Sequence, residues 1–203
     1  MHTLIVVSHP DPASLSHAAA HCIGSGIVQA SPSHSYEVAD LYAEGFDPRF
    51  NAADHAAHRR TQAAPADVAA EQARIDRADA LALVFPVYWW SMPALMKGWI
   101  DRVFSNGWAY DDTGGRPEKK LGHLPIYLAG VGGADARTYA RHGYASAMRT
   151  QIDHGIFDYC GARVMASELL LQSHDEPDAV LSAARRLGRR MAEAPEVHVP
   201  AAA

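Results

Sequence analysis

The chain has 203 residues, 48% of them hydrophobic and 20% charged, which fits one large domain able to bury a substantial core. Its net charge of -5, with Lys and Arg scattered along the sequence, argues against a nucleic acid or an anionic membrane as partner. No apolar run reaches the length of a membrane helix, and Met1-His2-Thr3 leads into Leu4-Ile5-Val6-Val7 without the basic start of a signal peptide; the chain reads as cytoplasmic and not membrane-inserted.

In chain order, Thr3 to Ser8 is a short apolar run with β-branched residues and reads as a buried strand. A loop follows, and Ser16 is placed to cap a helix through Ala18, Cys22, Ile23 and Ile27. Tyr36 to Leu41 is a weaker strand, Glu44 to Ala66 lacks periodicity and reads as mostly loop, and Val68 to Ala78 reads as a helix. Ala80 to Phe85, apolar throughout, has the character of a central parallel strand. Leu95, Met96, Trp99, Ile100, Val103 and Phe104 then fall on one helix face, with Ser91 as cap and Pro93 in the first turn. Gly98 inside that helix carries a penalty of about 1 kcal/mol and signals a close neighbour. Leu124 to Ala129 is a further strand, part of Ala145 to Tyr159 a helix, Val164 to Leu171 the last strand and Asp178 to Met191 the last helix. The alternation implies a doubly wound α/β fold with a five-stranded parallel sheet between two helical layers, strand order 2-1-3-4-5, the flavodoxin-like arrangement. Residues 1–193 form a single domain in this reading and 194–203 a flexible tail. Cys22 and Cys160 lie far apart, form no CxxC, and read as two thiols.

Ligands of such a fold bind beyond the carboxyl ends of the strands. Three loops lie there: His9–Ser16, Pro86–Met92 and Gly130–Tyr139. The first lacks GxGxxG and GxxxxGK[ST] but offers His9, Ser14, Ser16 and His17 at a helix start, where N–H groups and the helix dipole suit a phosphate; taken alone, Ser14 and Ser16 read first as simple caps of the helix. The second carries Tyr88, Trp89 and Trp90, either a wall for a conjugated ring or packing for a core or dimer. The third, with Gly130, Gly132 and Gly133, either lets backbone approach a planar ring or forms an ordinary turn. Together they describe a mononucleotide site with a bulky aromatic head group, which a flavin fits. His17 and His21 stand at i, i+4 without a third ligand, so no metal is expected, and no GxSxG marks a hydrolase.

The segment FPVYWWSMPALMKGWIDRVF, Phe85 to Phe104, closely resembles the signature of the NAD(P)H:quinone oxidoreductases, flavodoxin-like flavoenzymes. Ser105-Asn106-Gly107-Trp108-Ala109-Tyr110, Val7-Ser8-His9-Pro10, Asp40-Leu41-Tyr42 and Tyr159-Cys160-Gly161 extend the likeness over most of the chain. The resemblance implies a non-covalent flavin, FMN or alternatively FAD, and a homodimer with the site at the subunit interface. It implies hydride transfer from NAD(P)H to the flavin, then two electrons to a quinone or similar aromatic acceptor, in one shared ping-pong site. His9, Ser14, Leu15, Ser16 and His17 would hold the phosphate and ribityl chain; Pro86, Val87, Tyr88, Trp89 and Trp90 would contact the ring; Gly132 and Gly133 would border its pyrimidine side. Tyr139 and His142 are the nearest candidates for the family's substrate-facing pair, at a spacing one or two residues different. The family often has Thr-Thr-Gly-Gly at Gly130–Gly133 and Asn at Ser16, so a hydroxyl near the ring is lost here and the phosphate contacts are altered. Because the family includes reductases that serve potassium-efflux systems, docking on a transporter is a further reading, as is a flavodoxin-type electron carrier.

Overall fold

The computed structural model describes residues 1–172 and 178–194; beyond Ala194 the expected tail lies outside the described residues. The elements are β1 (His2–Val7), α1 (Leu15–Ala30), β2 (Ser35–Asp40), α2 (Ala52–His58), α3 (Ala66–Asp76), β3 (Ala80–Pro86), α4 (Ala94–Val103), β4 (Tyr110–Asp111), β5 (Glu118–Lys119), β6 (Pro125–Gly132), α5 (Ala136–His142), α6 (Tyr144–Met148), β7 (Arg163–Leu171) and α7 (Ala179–Glu193). Between α6 and β7, Arg149–Asp158 winds in wider turns. Five strands form one parallel sheet in the order β2-β1-β3-β6-β7, the 2-1-3-4-5 arrangement counted within the sheet. β4 and β5 make a separate small antiparallel pair that the sequence did not disclose.

The inner strands are buried on both faces, and their side chains alternate between two cores. Leu4, Val6, Leu81, Leu83, Phe85, Ile126 and Leu128 face Met96, Trp99 and Val103 of α4 and Phe157. Ile5, Val7, Ala82, Val84, Ala129 and Val131 face Ala19, Ile23 and Ile27 of α1 and Leu187 and Met191 of α7. Gly98 is a point of close approach: a Cβ there would lie 2.3 Å from the Pro48 carbonyl oxygen. No helix among the described residues is long and apolar enough to cross a membrane.

Several local expectations need correction. Ser14, not Ser16, caps α1, accepting from the His17 N–H. Ser91 caps nothing; α4 begins after Pro93, which sits at the cap position. The aperiodic stretch 44–66 contains α2, set by a reciprocal cap between Asn51 and Asp54. The helix expected within 145–159 is two pieces, α6 and the wide turns, and α5 precedes them, separated by Gly143 in the left-handed region at φ 69°.

The loop carrying α2 is tied down by a buried charge network. Arg102 donates to Asp54 at 3.0 Å, Asp67 at 2.6 Å and the Asp47 carbonyl at 2.8 Å, and lies over the Phe46 ring. Trp99 donates its indole N–H to Glu71 at 2.8 Å. A buried guanidinium needs such partners, and nothing in the hydrophobic pattern of the sequence reports them.

Candidate cofactor and substrate site

Parallel register brings the strand ends to one edge. Val7 pairs with Asp40 on one side and Val84 on the other, Pro86 with Val131, and Gly132 with Leu171. Val87 N–H extends the ladder to Val131 O at 2.8 Å. Above this edge opens a cleft of about 360 Å³ lined by His9, Asp11, Ser14, Leu15, Ser16, Pro86, Val87, Tyr88, Val131, Gly132, Gly133 and Gln172. The three loops singled out in the sequence therefore meet in one cavity.

One end of the cleft is the start of α1, a 16-residue helix whose first-turn N–H groups face outward along the dipole. Asp11 shapes the approach: its carboxylate accepts from Ala13 N–H at 2.9 Å and its N–H donates to His9 Nδ1 at 3.0 Å. His17 does not line the cleft. It is buried, with Nδ1 2.9 Å from Ser14 Oγ and Nε2 2.8 Å from Asp40 Oδ2. Burial pushes the Asp40 carboxyl up, but hydrogen bonds from the Ala43 N–H and from His17 outweigh it, and the group titrates below its usual 3.8.

The aromatic loop is a tight turn. Tyr88 and Ser91 exchange two backbone hydrogen bonds of 3.1 Å, with Trp89 (φ 50°) and Trp90 (φ 59°) both left-handed at its corners. Such backbone costs roughly 1–2 kcal/mol per residue that has a Cβ. Trp90 recovers part of this by stacking on Tyr144, centroids 3.8 Å apart, and meeting Tyr139 edge-on at 5.3 Å. Ser91 Oγ donates to Gln151 Oε1 at 2.7 Å. Trp89 recovers nothing from the described residues: it is 94% exposed. Of the expected ring contacts, Pro86, Val87 and Tyr88 line the cleft, whereas Trp89 and Trp90 do not.

At the glycine loop, a Cβ on Gly132 would lie 2.6 Å from the Tyr139 hydroxyl, so only glycine lets the phenol pack directly against the loop, while a Cβ on Gly133 would point into open space. Tyr139 is buried, and burial pushes its phenol pKa up, so it remains a proton donor at neutral pH. His142 is exposed at the end of α5 with its ring on Tyr144, centroids 5.2 Å apart, outside the cleft. Asp11, Val131 and Gln172 line the cleft without having been singled out as site residues. The position of Val131 and Gln172 at strand ends is the signal the sequence offers for them.

The strand order and the cleft at the strand ends define a doubly wound α/β fold of the flavodoxin-like arrangement. The chain belongs to the flavodoxin-like fold family, whose model matches residues 1–191. A ribosyldihydronicotinamide dehydrogenase [quinone] from Pongo abelii is 29% identical over 190 residues, covering 82% of this chain and 79% of that one. The structure of an NAD(P)H:quinone oxidoreductase from Methanothermobacter marburgensis superposes with a TM-score of 0.85 at 29% identity, covering 94% of this chain and 98% of that one. General stress protein 14 from Treponema denticola, solved in complex with FMN, gives 0.64 at 26% identity over 92% of this chain and 95% of that one.

Proposed function

We propose that this protein is a flavin-dependent NAD(P)H oxidoreductase that reduces quinones or similar aromatic acceptors in a ping-pong cycle. The observation that carries the reading is the cleft: a helix N-terminus at one end, the flat Pro86-Val87-Tyr88 edge along its side and a glycine floor backed by a phenol. These features fit a phosphorylated flavin, and the named relatives act on quinones. FMN is the flavin proposed, because a structural neighbour at 26% identity is solved in complex with FMN.

In this reading the Leu15 and Ser16 N–H groups and the Ser14 hydroxyl receive the phosphate, with His9 beside them. Val87 and Val131 wall the ribityl chain and ring. The bound flavin supplies the chemistry of accepting a hydride from NAD(P)H and returning two electrons to the acceptor. Tyr139 donates a hydrogen bond through the gap at Gly132. His142, stacked on Tyr144 at the end of α5, would supply a proton to an acceptor that extends beyond the cleft to it. The bare Trp89 indole and half-exposed Tyr88 beside the cleft fit a homodimer in which a second subunit closes the site.

Anaerobic mixing of flavin-loaded protein with NADPH or NADH tests the function. Bleaching of the flavin, reversed by menadione, is expected. Bleaching only when a separate reductase is added would instead identify an electron carrier.

A further inference from the structure

The hydrogen-bond chain Asp40–His17–Ser14 leads from the end of β2, through a buried ring, to a hydroxyl that lines the cleft. It does more than cap α1. A carboxylate only accepts, so His17 Nε2 carries a proton toward Asp40. In a neutral ring Nδ1 is then an acceptor, and the Ser14 hydroxyl proton points at it. Ser14 Oγ also accepts from the His17 backbone N–H at 3.3 Å, so it offers the cleft only a lone pair, which repels an anion. Protonation of His17 reverses the polarity: Nδ1–H donates to Ser14 Oγ, and the hydroxyl proton turns to the cleft as a donor.

We propose that binding of a phosphate monoester at the start of α1 is coupled to uptake of one proton by His17, with Asp40 holding the imidazolium in place. His17 is thus a positioning residue that acts through Ser14. The inference rests on the phosphoflavin reading and adds a proton linkage to it. His17 is buried, so a charged ring there depends on the Asp40 carboxylate at 2.8 Å as its counter-ion. The other titratable groups near the ring are His9, edge-on at 6.4 Å from the β1–α1 loop, and Asp11 in the same loop. His21, one turn further along α1, is exposed. Burial and orientation leave His17 as the group in line between carboxylate and hydroxyl.

Calorimetric titration of the flavin-free protein with FMN at pH 8, in two buffers of different ionisation enthalpy, counts the protons. At that pH the free phosphate is already a dianion, its second pKa being about 6. Uptake of about one proton per FMN is expected, with an association constant that falls about tenfold per pH unit above pH 8. Riboflavin, which lacks the phosphate, should bind without uptake. His17→Gln, whose amide donates to Asp40 and accepts from Ser14 at any pH, fixes the neutral-ring polarity and should bind FMN more weakly, with uptake near zero and a flat pH profile. FMN binding without proton uptake, or equal uptake with riboflavin, would overturn the proposal and leave the flavin reading standing. Failure of FMN and riboflavin to bind at all would overturn both.

Discussion

Trp89 and Trp99 stand ten residues apart in one aromatic stretch and live in opposite environments. Trp99 is fully buried, its indole N–H bonded to Glu71 and its ring edge-on to Phe104. Trp89 is 94% exposed on left-handed backbone, with nothing among the described residues to hold it. The first residue is a packing element whose polar handle is satisfied. The second sits where the fold tolerates strain, at the strand edge that bears the cleft, which is where strained backbone tends to serve a ligand or a partner. Composition alone does not separate them; position on a helix face or in a strand-end turn does.

The sharpest contrast comes from the core side. Trp99→Ala should cost about 3–5 kcal/mol in denaturant unfolding, from lost burial, a cavity and the loss of the indole donor to Glu71. Arg102→Met tests the network beside it: an uncompensated Asp54, only 3% exposed, should make the loss about 3–5 kcal/mol. If that variant were as stable as the parent, the network would be dispensable to the loop around α2. On the cleft side the sign should reverse. Trp89→Gly should raise stability by up to about 1 kcal/mol, because glycine accepts the positive φ, while slowing quinone turnover. Loss of stability in Trp89→Gly would show that the indole packs on something in the free chain. The smallest effect concerns pH. Asp40 is held below its usual 3.8, so the stability it contributes is full above about pH 4 and is lost as pH falls through the lower folded value. Acid unfolding of Asp40→Asn, followed by circular dichroism, should therefore show a shallower decline below pH 4 than the parent.

The alternating β and α segments and the sheet order could be read from apolar runs, because a parallel sheet buried on both faces writes itself as continuous hydrophobic stretches. The α4 face from Met96 to Val103 was legible for the same reason. What escaped is what hydrophobicity does not encode. Helix α2 is specified by the Asn51–Asp54 cap and by the Arg102 network, which joins residues far apart in sequence. Trp89 and Trp90 were expected against the ring, yet the turn directs one to solvent and the other onto Tyr144, since two consecutive left-handed residues are not foreseeable from side chains that disfavour them. His17 was grouped with the cleft residues because it neighbours Ser16; helix geometry turns it inward to Asp40, a partner 23 residues away.

The central claim is that the cleft above β1, β3 and β6 holds the flavin. A crystal structure of the protein grown with FMN tests it most directly. The account predicts the phosphate at the start of α1 beside Ser14 and the ring along Pro86–Tyr88 with its edge over Gly132. Flavin bound elsewhere on the chain, or no flavin at saturating FMN, would contradict it.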